Sequence, residues 1–352
     1  KQSRLLGLDG TYVQLLTENI PTLRGLATPY GLGYIPGTWM EAIQISKGTA
    51  SVKNGYESVT GQINVEYLKP NTADKLFLNA LVNDAGKKEI NALGSFLVTD
   101  KLSTLVLAHV EDNSKVDDHQ KDGFIDHPFI RQYNLLNRWF YTDNRWHIHF
   151  GMKALIENRT TGSVDFKSDQ VRDIDHPYGI GIETDRYEAF YKMGYTFNNE
   201  MNSNFGSIFS VSKHNQESFF GIREYAGEQI NYYVNLMYQT NFINSSNTIT
   251  AGYSMNYDDY AERLDMTDIL RTELVNGVFA EYSYKKGESL IVQTGVRLDY
   301  HNIYGLMFTP RLHARYSLGG NTIFRLSAGK GYRSPNVLAE NNHYLANSRA
   351  LV

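Results

Sequence analysis

The segment WMEAIQISKGTASVKNGYESVTGQINVEYLKP (residues 39–70) divides the chain in two. It holds a strand from Met40 to Ser46, a turn at Lys47-Gly48, the small residues Thr49-Ala50-Ser51, and a second strand from Gln62 to Leu68. Gly48, Gly55 and Gly61 stand close together between the strands. Glycine takes backbone geometries that other residues resist, so tight turns or close backbone packing are expected there. Before this segment the residues do not alternate and read as a small compact module. After it they alternate almost to the end.

Beyond Pro70 the period is two. From Arg145 to Glu157, the residues Trp146, Ile148, Phe150, Met152, Ala154 and Ile156 form an apolar face opposite His147, His149, Gly151, Lys153 and Glu157. Tyr187 to Phe197 sets Tyr191, Met193 and Tyr195 against Glu188 and Lys192, and Leu290 to Tyr300 sets Val292, Val296 and Leu298 against Gln293, Arg297 and Asp299. Strands with one apolar and one polar face are half-buried. At up to about eleven residues they outrun the usual soluble strand and match what a tilted strand needs to cross a bilayer.

The connections point the same way. Short polar turns are expected at Asp100-Lys101, Thr142 to Asn144, Asn198 to Asn202, Asn241 to Asn247, Lys285 to Glu288 and Gly319 to Asn321. Between them come long loops near 112–130, 158–182, 215–228 and 259–269, and a shorter one near 302–308. Short turns on one side and long loops on the other mark an outer-membrane barrel, whereas a soluble sandwich has no reason to sort loops by parity. Trp139, Tyr141, Trp146, Tyr282 and Tyr284 fall near strand ends, where an aromatic girdle would sit. The count from about Leu76 to Lys330 is roughly thirteen strands. Plugged transporters have an even number, about 22, so the chain is expected to stop mid-barrel.

Composition excludes several classes. The 352 residues contain no cysteine, so neither a disulfide scaffold nor a thiolate metal site is available. A net charge of −4 without a basic run argues against nucleic acid as a partner. With 25 Tyr and 17 Phe against 8 Pro, the balance favours strands. No apolar run is long enough for a membrane helix, and window hydropathy does not register alternating strands. Lys1-Gln2-Ser3 carries no targeting signal.

The order of features in residues 39–70 resembles the second half of the plug domain of TonB-dependent outer-membrane receptors. A strand of the type "IEV.KG", a small-residue turn, "YG", "GG" and "INI.TK" correspond to Ala42 to Gly48, Asn54-Gly55, Thr60-Gly61-Gln62 and Ile63-Asn64-Val65. The chain departs from that pattern at Asn54, where the family has Tyr or Phe, and at Gln62, where it has a second Gly. Ser3 to Gly10, followed by Tyr12 to Leu16, resembles the mid-plug "RGLDG.Y.QVLIDG.P", with Thr17 to Pro21 departing from its end. Thr309 to Leu312 is similar to "SPRL", and Ser327 to Asn336 to "GRGFRAPN".

The resemblance implies a mainly β fold, a transmembrane antiparallel β-barrel with a small α/β plug in its lumen. It places plug over 1–70 and barrel over 71–352, with the chain beginning partway through the plug. It implies active uptake of a scarce nutrient across the outer membrane of a Gram-negative bacterium, energised by the TonB-ExbB-ExbD complex, with a metal chelate (ferric siderophore, haem or cobalamin) as first choice of cargo. No enzymatic activity and no required cofactor are expected. A passive porin or adhesin barrel and a glycan-uptake receptor are the alternatives.

Candidate site residues follow. Residues 24–38, rich in Gly and Pro, are expected to form an exposed loop at the plug apex, where Tyr30, Leu32 and Tyr34 would meet cargo. His147 and His149 share one strand face and would suit a transition metal or simply line a polar lumen. Asp117, Asp118 and Asp122 lie in an acidic loop that would suit Ca2+, although Phe129 stands where an EF-hand has Glu and an ordinary solvated acidic loop is the first reading. Lys47, Gly48, Gly55, Gly61 and Asn64 form the plug's structural motif. Glu41, Lys47 and Glu66 would pair with wall residues such as Glu157, Arg297 and Arg325.

Overall fold

The computed structural model describes residues 4–197, 200–319 and 322–346. The turns expected at Asn198-Asn199 and Gly320-Asn321 lie outside the described residues. An N-terminal module begins with the two-residue strands β1 (Arg4–Leu5) and β2 (Leu8–Asp9). β3 (Val13–Thr17), β4 (Met40–Lys47) and β5 (Gly61–Tyr67) follow and form a mixed sheet in the order β3-β5-β4. β3 pairs with β5 in parallel and β4 with β5 antiparallel. Gly48 (φ +80°) and Gly55 (φ +99°) occupy the left-handed region expected of this segment. The two departures from the family pattern bond to each other: Asn54 Nδ2 donates to Gln62 Oε1 at 2.9 Å.

Thirteen strands follow: β6 (Leu76–Val82), β7 (Lys87–Thr99), β8 (Leu102–Asn113), β9 (Phe129–Thr142), β10 (Trp146–Gly162), β11 (Gly179–Thr196) and β12 (Asn204–Phe220), then β13 (Arg223–Phe242), β14 (Asn244–Leu264), β15 (Thr267–Lys286), β16 (Leu290–His301), β17 (Gly305–Leu318) and β18 (Thr322–Gly329). Each pairs antiparallel with its sequence neighbours in a single sheet, and β6 does not pair with β18.

The sheet is polar inside and apolar outside. On β10, Met152 is 56% and Ile156 45% exposed, whereas their neighbours Lys153 and Glu157 are 6% and 1% exposed. On β16, Val296 and Leu298 are exposed while Arg297 and Asp299 are buried. A soluble sheet would do the reverse, so this face is built for an apolar surround. Trp146, Tyr195, Phe197 and Tyr238 form a chain of ring contacts at 4.6, 4.9 and 6.2 Å that runs from β10 to β13 near the short-turn end, as an interfacial belt requires. No helix among the described residues is long and apolar enough to cross a membrane.

Parity of connections is only partly as expected. One end of the sheet carries the long loops 114–128 and 163–178. The other carries short connections, such as 100–101, 143–145 and 287–289. The long loops expected near 215–228 and 259–269 are absent. There β12 to β15 continue as strands and reverse at Gly221-Ile222 and Asp265-Met266. Polar residues on both faces imitate a loop, but a ladder that rises clear of an apolar surround needs no apolar face.

The turn after β9 is held by Asp143, whose Oδ1 accepts the backbone N–H groups of Arg145 and Trp146, both at 2.8 Å, while Oδ2 accepts the Tyr141 hydroxyl at 2.9 Å. Those backbone bonds lower its carboxyl to about 2. Because the folded value is depressed, the turn's stabilisation is complete above the ordinary carboxyl range and is lost as pH falls through about 2. Carboxyl NMR of Asp143 should therefore give a midpoint well below that of a free aspartate.

Candidate functional site

The module lies against the sheet's polar face. Its apolar residues Leu23, Ile35, Trp39, Val65 and Tyr67 share one core with the inward-facing Leu93, Leu105, Leu107 and Leu136 of β7, β8 and β9. Around that core are buried ion pairs. Arg24 lies 3.0 Å from Glu57 of the module and 3.0 Å from Asp258 of β14, with Glu273 of β15 at 4.0 Å. Burial alone would discourage the Arg24 charge, but Asp258 and Glu57 more than offset it and raise its pKa well above the ordinary arginine range. Glu18 is shared by Arg138 at 2.9 Å and Lys192 at 3.3 Å. Burial opposes its ionisation, yet the two cations keep its carboxyl below the usual range. Lys53 pairs with Glu281 at 3.0 Å, and Arg311 donates to the carbonyls of Ala50, Ser51 and Tyr56.

Residues 24–38 are not an exposed loop. They form three short 3-10 turns, Gly25–Ala27, Gly31–Tyr34 and Gly37–Trp39, in which Leu26, Ala27 and Tyr34 are buried. Wall side chains satisfy their backbone: Leu26 N–H donates to Gln229 Oε1 at 3.0 Å, Lys153 and Asn134 donate to the Tyr34 carbonyl, and Gln132 to that of Gly33. A polar wall thus supplies the partners that water would give a surface loop. Gly25 has φ +60°, and a Cβ there would meet Gln229 at 2.5 Å, so glycine alone fits.

On the outer face of the sheet, at the long-loop end, a cleft of about 400 Å³ opens over β10 to β14 beside the loop 163–178. Arg172 and Arg263 line it with the outward-facing Glu183, Glu217 and Glu224. Arg172 lies 2.6 Å from Glu224 and 4.6 Å from the Phe219 ring centroid. On the lumen side of the same wall Arg159 meets Glu157 at 3.0 Å and stacks over Tyr30 at 5.2 Å. Burial pushes the Tyr30 hydroxyl up to about 12, so it remains protonated, and it accepts a hydrogen bond from Asn342 at 2.6 Å. Asn342 belongs to a segment that re-enters the lumen after β18, where α1 (Val337–Glu340) packs on Leu26 through Ala339. At the lumen mouth Arg159, Glu157, Asn342 and Tyr30 offer guanidinium, carboxylate, amide and aromatic groups to a polar ligand.

A family model described as "TonB dependent receptor-like, beta-barrel" matches residues 93–349. The chain belongs to that family. The receptor barrel is also similar in fold to solved siderophore receptors. These include PirA from Acinetobacter baumannii (TM-score 0.75, 13% identity, 94% of this chain and 55% of that one) and PirA from Pseudomonas aeruginosa (0.72, 14%, 94% and 56%). The alcaligin outer membrane receptor FauA from Bordetella pertussis is similar too (0.72, 12%, 92% and 55%). A stretch of 72 residues is 29% identical to the ferrienterobactin receptor of Escherichia coli (strain K12), covering 20% of this chain and 10% of that protein. The chain spans about half the length of the solved receptors it matches.

Against this geometry the expected site residues divide. Tyr30 meets Arg159 inside the receptor barrel and Leu32 is 39% exposed, but Tyr34 is fully buried beside His214 and offers nothing to a ligand. His147 and His149 face the lumen together at the short-turn end, where His147 bonds Thr142 and His149 stacks on Phe140 at 4.4 Å. Asp118 accepts the N–H groups of Asp122 and Gly123, Asp122 that of Phe124, and Asp117 faces His127, so these carboxylates serve their own loop rather than converge. No group of three or more metal-ligating side chains occurs among the described residues. Gly48 and Gly61 permit close approach, and Asn64 is buried, bonding Asn19, Gln44 and Glu66.

The expected pairing of Glu41, Lys47 and Glu66 with the wall does not occur. Glu41 meets Lys69 of the module, Glu66 accepts Asn19 and Asn64, Glu157 meets Arg159, and Arg297 meets Asp299. The wall contacts run instead through Glu18, Arg24 and Lys53. Arg24 opens the Gly-rich segment, and a cation entering a segment that otherwise lacks charge was the available signal.

Proposed function

We propose that the chain is the plug-and-barrel part of a Gram-negative outer-membrane receptor that captures a metal chelate of the siderophore class and admits it actively. The observation that carries the reading is a sheet of inverted polarity whose inner face is occupied by a module held by buried ion pairs. A passive pore has no use for such an obstruction. Cargo too large for free diffusion would bind at the lumen mouth, where Arg159 lies over Tyr30, and energy delivered by TonB-ExbB-ExbD would then shift residues 1–70, acting as the plug. Guanidinium, amide and aromatic groups together suit a chelate that displays oxygen ligands and rings. The siderophore receptors it resembles in fold favour this cargo class over haem, cobalamin or glycans.

The test is a titration of the full-length receptor in detergent with ferric siderophores, haem, cobalamin and a copper chelate, read by tryptophan fluorescence. One ferric siderophore should bind saturably with Kd below about 1 μM. Arg159→Ala should weaken that binding by about tenfold or more, since the guanidinium is braced by both Glu157 and Tyr30. Flat titrations together with steady open-channel conductance in a planar bilayer would favour a passive pore.

A further inference from the structure

A second cavity, of about 500 Å³, lies between the module and the wall at the short-turn end, lined by Asn19, Lys53 and Asn54 from the module and by inward-facing residues of β10 to β14. Its lining includes Lys53, Lys192, His147 and His149 but no Asp or Glu. Lys192 reaches the cavity with its charge incompletely met, because the carboxylate it contacts at 3.3 Å, Glu18, is also held by Arg138 at 2.9 Å. Two cations on one carboxylate leave an excess positive charge on the wall, in a recess where low-dielectric surroundings strengthen its field. The Nδ1 atom of His149, a residue of the cavity wall, is buried and has no hydrogen-bond partner in the protein. Gly194 and Gly206 keep the space open: a Cβ at either would find only ordinary contacts, at 3.8 and 3.7 Å.

We propose that this cavity is an anion-accepting station on the far side of the module from the long loops, taking an organic oxyanion or its metal chelate as it leaves. The inference rests on reading the chain as a chelate receptor. It adds a second site to the lumen mouth at Tyr30 and Arg159: a cationic recess that draws an anionic cargo past the module.

The chain lacks cysteine, so Gln239→Cys, on the inward face of β13, places a single thiol at the cavity. The full-length receptor, free of other cysteines, is labelled in detergent with sulfonatoethyl and trimethylammonioethyl methanethiosulfonate. Each rate is divided by that reagent's rate with a free thiol. The anionic reagent should be favoured by about fivefold or more, with the preference fading in about 1 M salt. Lys192→Arg should keep the preference and Lys192→Gln should lose it, while Gly194→Leu, which fills the space, should slow both reagents. Parity or cationic preference in the parent overturns the proposal, as does equal loss in the Arg and Gln variants. Citrate and its iron(III) complex are then added as competitors. Slowing by both assigns an organic anion, slowing by the iron complex alone assigns the chelate, and slowing by neither overturns the site. Because the labelling ratio is read without cargo, it stands or falls separately from the fluorescence titration.

Discussion

Arg24→Ala should loosen the module from the sheet and turn a closed barrel into a leaky one. The guanidinium is the common partner of Glu57, Asp258 and Glu273, all within 4.0 Å and all largely removed from water. Deleting it leaves Glu57 and Asp258 without their ion-pair partner, while Glu273 keeps Arg271 at 3.2 Å, and breaking a buried pair from one side costs about 3–5 kcal/mol. Planar-bilayer recordings should show frequent openings in the variant and rare ones in the parent, with faster proteolysis between residues 24 and 60. Arg24→Lys retains the charge but not the forked geometry that contacts two carboxylates at once, so an intermediate effect is expected. Closed recordings from Arg24→Ala would mean that the apolar core around Trp39 holds the module without it.

The second large effect is expected at Glu18 and Arg138. Arg138 is almost fully buried, contacts Glu18 at 2.9 Å and donates to the Leu68 carbonyl at 2.6 Å. Arg138→Ala or Glu18→Ala alone should lower the stability of the docked module by about 3–5 kcal/mol, read as the urea midpoint of the Trp39 fluorescence change. The paired variant Glu18→Leu/Arg138→Met should recover most of that loss, because it buries no unmatched charge. Lys192 would then lack its own partner, so recovery should be more complete in a triple variant that also carries Lys192→Met. Additive losses in the paired variant would show that the two residues act independently.

How much of this was legible in the sequence depends on the range of the interaction. The alternation at Met152, Lys153, Ile156 and Glu157 is local, and it fixed both the strand and the side each residue faces. The strands expected at Met40–Ser46 and Gln62–Leu68 occur at Met40–Lys47 and Gly61–Tyr67, because glycine punctuation and β-branched residues agree there. Period-two reasoning misled where it relied on polarity alone, at 215–228 and 259–269, since a strand bathed in water on both faces has the composition of a loop. The site was less legible. Arg24 meets Asp258, and Glu18 meets Lys192, across separations no local pattern encodes, while Tyr34 looks like any exposed apex tyrosine until Lys153 and Asn134 are seen to fix its carbonyl.

The continuous hairpins of β12 to β15 have a mechanical consequence. The 21 residues of β14 amount to about 70 Å of strand, or roughly 50 Å of height at the usual tilt, against an apolar band of about 25 Å. The rim over β12 to β15 is therefore a stiff parapet, hydrogen-bonded to its top, and cannot fold over the lumen without breaking its ladder. The neighbouring stretch of rim carries the loops 114–128 and 163–178. Among the described strands, a cover over bound cargo must swing from those loops, like a hinged shutter against a fixed jamb. Crosslinks that tether 163–178 should slow both arrival and escape of cargo, while equivalent tethers along the parapet should change neither.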